Sequence, residues 1–148
     1  MFQFSELKLP VVQAPMAGGP NTPALASAVS NSGGVGSFGF AYSTPKKIKA
    51  DLTATRALTS GPINANFFVF KREILPGNGI QSAALEALRN LPIEGEYTLA
   101  IPSEPFFPNV EIQLEPIWEF PPDILTFHFG IPAVAIIKKA QSLGISVG

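Results

Sequence analysis

The sequence predicts an α/β protein built on a parallel sheet. Apolar runs of strand length alternate with stretches of helical spacing, and most prolines and glycines fall singly where those stretches begin and end. Charged residues make up only 14% of the 148, and mean hydropathy is +0.26. A chain this apolar suits strands covered on both faces, as parallel sheets require. One domain over residues 1–148 is expected, because a domain typically takes about 100–200 residues.

Val11-Val12-Gln13-Ala14 reads as a buried first strand halted by Pro15. Thr22-Pro23 pairs a capping side chain with a residue suited to the first helical turn, and the helix it opens runs to Gly33-Gly34. Val35-Gly36-Ser37-Phe38 is a second strand, weakened by its glycine. Thr44-Pro45 repeats the start signal, and Gly61-Pro62 ends the second helix. Ile63 to Phe70 forms a third strand; Ile80, Ala84, Leu88 and Leu91 then fall near helical spacing before Pro92. Between Ile93 and Pro122 strand and helix patterns compete, with a helix interrupted near Pro116 the better fit. Asp123 to Phe129 is a fourth strand, Pro132 to Leu143 a fourth helix, and Ile145 to Gly148 the start of a fifth strand.

Strand-then-helix units in series imply parallel strands joined by right-handed crossovers. Either a doubly wound open sheet or the first part of an eight-stranded barrel satisfies this order. A complete barrel needs at least about 200 residues, so the chain is too short to be one.

Composition removes several classes of chemistry. There is no cysteine, hence no disulfide, thiolate metal site or cysteine nucleophile. The lone histidine, His128, excludes a His-rich metal site, and no metal is expected. Ten basic against 11 acidic residues give a net charge of −1, which offers a nucleic acid no electrostatic attraction. The N-terminus lacks a basic then apolar leader, and no run reaches the ~18 apolar residues of a membrane helix. The expectation is a soluble, cytoplasmic protein with no nucleic-acid or membrane partner.

On the third strand, Asn64 and Asn66 share one face while Ile63, Ala65 and Phe67 share the other. Burying an amide unpaired costs about 1–3 kcal/mol, so each needs a ligand, a neighbouring polar side chain or nearby backbone. Thr126 and His128 likewise share a face of the fourth strand, and His128 lies at its carboxyl end, where parallel α/β folds place their active sites. Imidazole titrates near neutrality and can act as a base; a histidine between phenylalanines is also a common hydrogen-bonded structural residue. Ala14-Pro15-Met16-Ala17-Gly18-Gly19-Pro20, at the end of the first strand, would let backbone approach a flat or anionic ligand. Gly34, Gly36 and Gly39 have the G-x-G-x-x-G spacing, but they lie across a strand and carry no dinucleotide fingerprint. Lys46-Lys47-Ile48-Lys49 and Lys138-Lys139 read as solvated helix faces.

These segments resemble the class I nitronate monooxygenases. Gln13 to Pro23, continuing from Leu25 through Gly36, is similar to that family's N-terminal signature; Asn66-Phe67-Phe68-Val69 is similar to its asparagine motif, and Thr126-Phe127-His128-Phe129-Gly130-Ile131-Pro132 to its histidine motif. The resemblance implies a (β/α)8 TIM barrel, incomplete here with about four and a half β/α units, that binds FMN over the carboxyl ends of its strands. It implies oxidation of nitronates or nitroalkanes by dioxygen to a carbonyl compound and nitrite. By matching position, Pro15, Met16 and Ala17 would line the flavin, Asn66 would hydrogen-bond it, and His128 would be the catalytic residue. Members of the family are much longer, and their later glycine-rich, phosphate-binding segments match nothing here. The chain is therefore expected to be the N-terminal part of such a barrel and inactive alone. The alternatives are an FMN-dependent enoyl-carrier-protein reductase of the same superfamily and a non-catalytic half-barrel that self-associates through exposed barrel edges.

Overall fold

A computed structural model describes residues 2–70, 75–92, 95 and 97–148. The chain forms two compact units, one of Met1–Phe70 with Pro108–Gly148 and the other of Lys71–Phe107. The second holds one helix, α3 (Asn78–Arg89), where the spacing of Ile80, Ala84 and Leu88 placed one. Residues 71–74, between the expected third strand and the next helix, lie outside the described residues.

The first unit carries the sheet. Its elements are α1 (Pro23–Asn31), β1 (Gly36–Gly39), α2 (Pro45–Arg56), β2 (Ile63–Phe68), α4 (Val110–Gln113), α5 (Glu115–Glu119), β3 (Ile124–His128), α6 (Val134–Ser142) and β4 (Ser146–Val147). The four strands run parallel in the order β1-β2-β3-β4. That is the expected α/β topology of a barrel-type sheet.

The caps explain where the helices start. The Thr22 side chain accepts a hydrogen bond from the Leu25 N–H and Thr44 accepts one from Lys47, each with proline in the first turn. Pro116 likewise lies in the first turn of α5, so the expected interruption falls at Leu114 and proline opens a helix instead of kinking one.

The first expected strand is reduced to one parallel bridge, Val12 to Val35, on the outer edge of β1. The ladder runs from the Val35 N–H to the Val11 carbonyl and from the Gln13 N–H to the Val35 carbonyl. The next rung is taken by the Gln13 side chain, whose Oε1 accepts from the Ser37 N–H at 3.3 Å. Pro15 has no N–H to continue the ladder, so the main chain leaves the sheet there.

Register sorts the strand residues into two layers. Phe38, Ala65, Phe67 and Leu125 point to the helices and are buried with Ile48 and Leu52 of α2, Leu114, Ile117 of α5 and Ala140 of α6. Ser37, Asn64, Asn66 and Thr126 occupy the opposite face, adjacent in register across β1, β2 and β3. Helix α1 and strand β1 approach at backbone distance: a Cβ on Gly36 would collide with the Ala26 carbonyl. Among the described residues, no helix is long and apolar enough to cross a membrane.

Candidate functional site

The inner face of the sheet is a connected row of polar side chains. Thr126 Oγ1 donates to Asn64 Oδ1 at 3.0 Å and accepts from Asn66 Nδ2 at 2.9 Å. Asn64 Nδ2 reaches Ser37 Oγ at 3.4 Å, and the Ser37 N–H donates to Gln13. Each amide on β2 thus finds a neighbouring polar side chain, one of the outcomes the spacing allows. Two atoms in the row keep spare capacity. Gln13 Nε2 is buried and has no hydrogen-bond partner. Asn66, 7% exposed, uses its amide N–H on Thr126, while its Oδ1 receives no hydrogen bond among the described residues.

The segment Pro15 to Gly18 passes over the carboxyl end of β1. A Cβ on Gly39 would lie 2.5 Å from the Met16 carbonyl carbon and 2.6 Å from the Ala17 nitrogen, so this crossing requires glycine. Gly18 and Gly19 both have positive φ, 89° and 98°, which sets the sharp return toward α1. Asn21, 5% exposed, holds the loop from beneath: its Oδ1 accepts from the Met16 N–H at 2.5 Å and its Nδ2 donates to the Ala14 carbonyl at 3.2 Å. Met16 remains 46% exposed over this support.

His128 ends β3 opposite Phe68, on the face that carries Asn66 and Thr126. It is exposed and makes no side-chain hydrogen bond among the described residues. Its ring instead meets aromatic neighbours: Phe129 edge-on at 4.2 Å and Phe68 at 5.8 Å between centroids. Phe129 has φ 68°, a left-handed conformation that costs an L-residue without a local polar contact roughly 1–2 kcal/mol. No group of three or more potential metal-ligating side chains occurs among the described residues.

Pro15, Met16, Ala17, Asn66 and His128 therefore share the carboxyl-terminal end of one sheet, the first three on the crossing loop and the other two on neighbouring strands. Gln13, Asn21, Ser37 and Gln113 were not singled out by their residue types. Asn21 had a local signal, a short polar side chain just before a Thr-Pro helix start. Gln113 had none: its Nε2 donates to the carbonyls of Phe40, Ala41 and Ser43, some 70 residues away in sequence.

Parallel strands, helices on one layer, and polar groups gathered at the carboxyl ends define a β/α-barrel type of chain. The family model for nitronate monooxygenase matches residues 1–148, and the chain belongs to that family. It is 33% identical to the nitronate monooxygenase of Pseudomonas aeruginosa over 95% of its own length and 40% of the relative's. The nitronate monooxygenase of Paraburkholderia phytofirmans is 34% identical over 92% and 37% respectively. Among solved structures, nitroalkane oxidase from Streptomyces ansochromogenes superposes with a TM-score of 0.73 at 26% identity, covering 97% of this chain and 40% of that one. FabK from Thermotoga maritima, at 20% identity and a TM-score of 0.64, shares the fold. The chain spans about two fifths of the length of the curated relatives it matches.

Proposed function

We propose that residues 1–148 form the N-terminal part of an FMN-binding (β/α)8 barrel that oxidises nitronates or nitroalkanes with dioxygen to a carbonyl compound and nitrite. The observation that carries this reading is the shared placement of Asn66, His128 and the Met16–Ala17 backbone at the carboxyl end of one sheet.

The residues present suit the ring of a flavin. Exposed Met16 and half-buried Ala17 offer a backbone-supported surface, with Pro15 beside them removing a competing N–H. Asn66 Oδ1 is an unused acceptor, and Gln13 Nε2 is a buried unused donor in the same polar row. When bound, FMN would supply the electron-accepting chemistry. Asn66 would fix the ring's orientation through one hydrogen bond, and the crossing loop would cover one side and exclude water. His128, whose imidazole makes no hydrogen bond among the described residues, would take the proton from the carbon bearing a neutral nitro group, or orient an already anionic nitronate. Barrels usually build their phosphate sites from the loops after strands seven and eight. This chain is read as holding the ring without a dedicated phosphate site, and as inactive alone.

Titration with FMN and riboflavin, followed by flavin fluorescence, tests the reading. The two should bind with the same weak affinity, and Asn66→Ala should weaken both. FMN binding more than tenfold tighter than riboflavin, or turnover of a nitronate by the chain alone, would refute the division of labour. Flavin affinity unaffected by Asn66→Ala would remove Asn66 from the site.

A further inference from the structure

Phe129 is the one non-glycine among the described residues with positive φ, 68°, and it follows the single histidine directly. Both of its neighbours in the chain are fixed to one residue, Val69, just past the end of β2. The His128 carbonyl accepts from the Val69 N–H at 2.9 Å, and a Cβ on Gly130 would lie 2.7 Å from the Val69 carbonyl oxygen. Phe129 spans these two points, which hold it in the left-handed region. A turn of this shape calls for glycine or asparagine. Phenylalanine adds a ring that is 61% exposed, so burial does little to offset the strain. That ring lies against the imidazole, with centroids 4.2 Å apart at 64°, and is itself stacked on Phe70 at 5.3 Å and 22°.

We propose that Phe129 is the positioning residue for His128: its ring, not a hydrogen bond, sets the direction of the imidazole. The consequence for the reaction rests on His128 acting as the base, as proposed above. A base must be aimed at the proton it takes, and the usual holder is a carboxylate or carbonyl on the second ring nitrogen. His128 has no such partner among the described residues. Phe68, in register with His128 and 5.8 Å away between centroids, limits the imidazole from β2. Contact with two aromatic rings restricts the rotamers of His128 while leaving both nitrogens free, so neither tautomer is selected before a substrate arrives. The left-handed backbone is what brings the two rings together. Along an extended strand consecutive side chains point to opposite faces, and the turn at Phe129 carries its ring back beside the residue that precedes it.

Because His128 is the only histidine, isotope-labelled histidine gives one set of NMR signals, read without flavin turnover. In the 148-residue chain the χ1 couplings of His128 should report one dominant rotamer. Phe129→Gly, which suits the left-handed backbone, should lower the population of that rotamer about twofold as the other staggered wells open, and should move the Cε1–H signal to the position of an unpacked histidine. Phe129→Ala removes the ring and keeps the strain, so its rotamers should average as in the glycine variant while its midpoint in urea falls below that variant's. Phe129→Tyr, which keeps the ring, should retain the wild-type rotamer and signal. Nitroethane added with riboflavin should displace the wild-type signal, and about half as far in Phe129→Gly, in line with the lost population. One dominant rotamer in both the glycine and alanine variants, or averaging already present in the wild type, would overturn the hold alone. The expected rotamers with a wild-type signal unmoved by nitroethane would overturn the placement of the substrate at His128, and with it the part Phe129 plays in the reaction.

Discussion

Replacing Gln113 by leucine isolates one long-range polar clamp from the packing around it. Gln113 is 3% exposed, and leucine is close to it in volume, so the change removes hydrogen bonds with little loss of contact. Its Nε2 donates to the carbonyls of Phe40 at 3.0 Å, Ala41 at 3.3 Å and Ser43 at 2.8 Å. The Phe40 carbonyl keeps the Ser43 N–H at 3.0 Å, so two acceptors lose the partner they have here. A buried acceptor left unpaired costs about 1–3 kcal/mol. Ala41 is buried and incurs this in full; Ser43 is half-buried, where water replaces part of the bond. The expected loss is roughly 2–3 kcal/mol, or a fall in Tm of about 5–10 °C for a chain of this size. Equilibrium urea unfolding followed by the fluorescence of Trp118, the single tryptophan, measures it. Gln113→Glu should destabilise further, because a carboxylate oxygen would face carbonyl oxygens. A loss under about 0.5 kcal/mol for leucine, within the range of a neutral surface change, or a glutamate variant more stable than the leucine one, would refute the clamp.

Two further perturbations act on the inner face. Thr126→Val is nearly isosteric and deletes the hydroxyl shared by Asn64 and Asn66; it should cost about 1–3 kcal/mol in urea unfolding, with Thr126→Ser recovering most of the loss. Equal stability of the valine and serine variants would show that the hydroxyl bridge contributes nothing. Gly39→Ala should push the Met16–Ala17 crossing off the end of β1, costing about 1–3 kcal/mol and lowering riboflavin affinity more than tenfold. Retention of wild-type affinity would dissociate that crossing from the flavin ring.

Local chemistry made much of the fold legible. Thr22-Pro23 and Thr44-Pro45 each join a side-chain cap to a residue with fixed φ, and both helices start where those pairs stand. The alternation along Ile63 to Phe67 assigned the faces of β2 correctly, because one face must meet the helices. The strand over Val11 to Ala14 was not resolved into its true form. A glutamine side chain replacing a backbone rung has no sequence signature, since its partner, the Ser37 N–H, lies 24 residues on. Likewise, the stretch around Val110 to Trp118 carried mixed periodicity because two short helices meet at Leu114, each showing only one turn of pattern. The carboxyl-end placement of His128 followed from counting along its strand, whereas Asn66 counted as mid-strand because that strand was read on to Phe70 and ends at Phe68. The left-handed backbone of Phe129 had no signal, because nothing in a phenylalanine announces it.

Asn64 and Asn66 show why spacing alone could not divide structure from chemistry. Two residues apart on one strand, they face the same way, and it was the match to the asparagine motif that set Asn66 apart. Tertiary register separates them. Asn64 pairs with Ser37 and has both ends of its amide engaged, to Thr126 and to Ser37. Asn66 pairs with Gly39, one pleat nearer the carboxyl end, and the Met16–Ala17 backbone crosses at that rung. There its single bond to Thr126 fixes the amide plane and leaves the carbonyl oxygen as an oriented acceptor. A fully engaged amide stiffens a sheet; a half-engaged one, held from behind, can select a ligand by the direction of its N–H. This asymmetry is why the proposed flavin contact falls to Asn66, with Asn64 and Thr126 as the support that keeps it aimed.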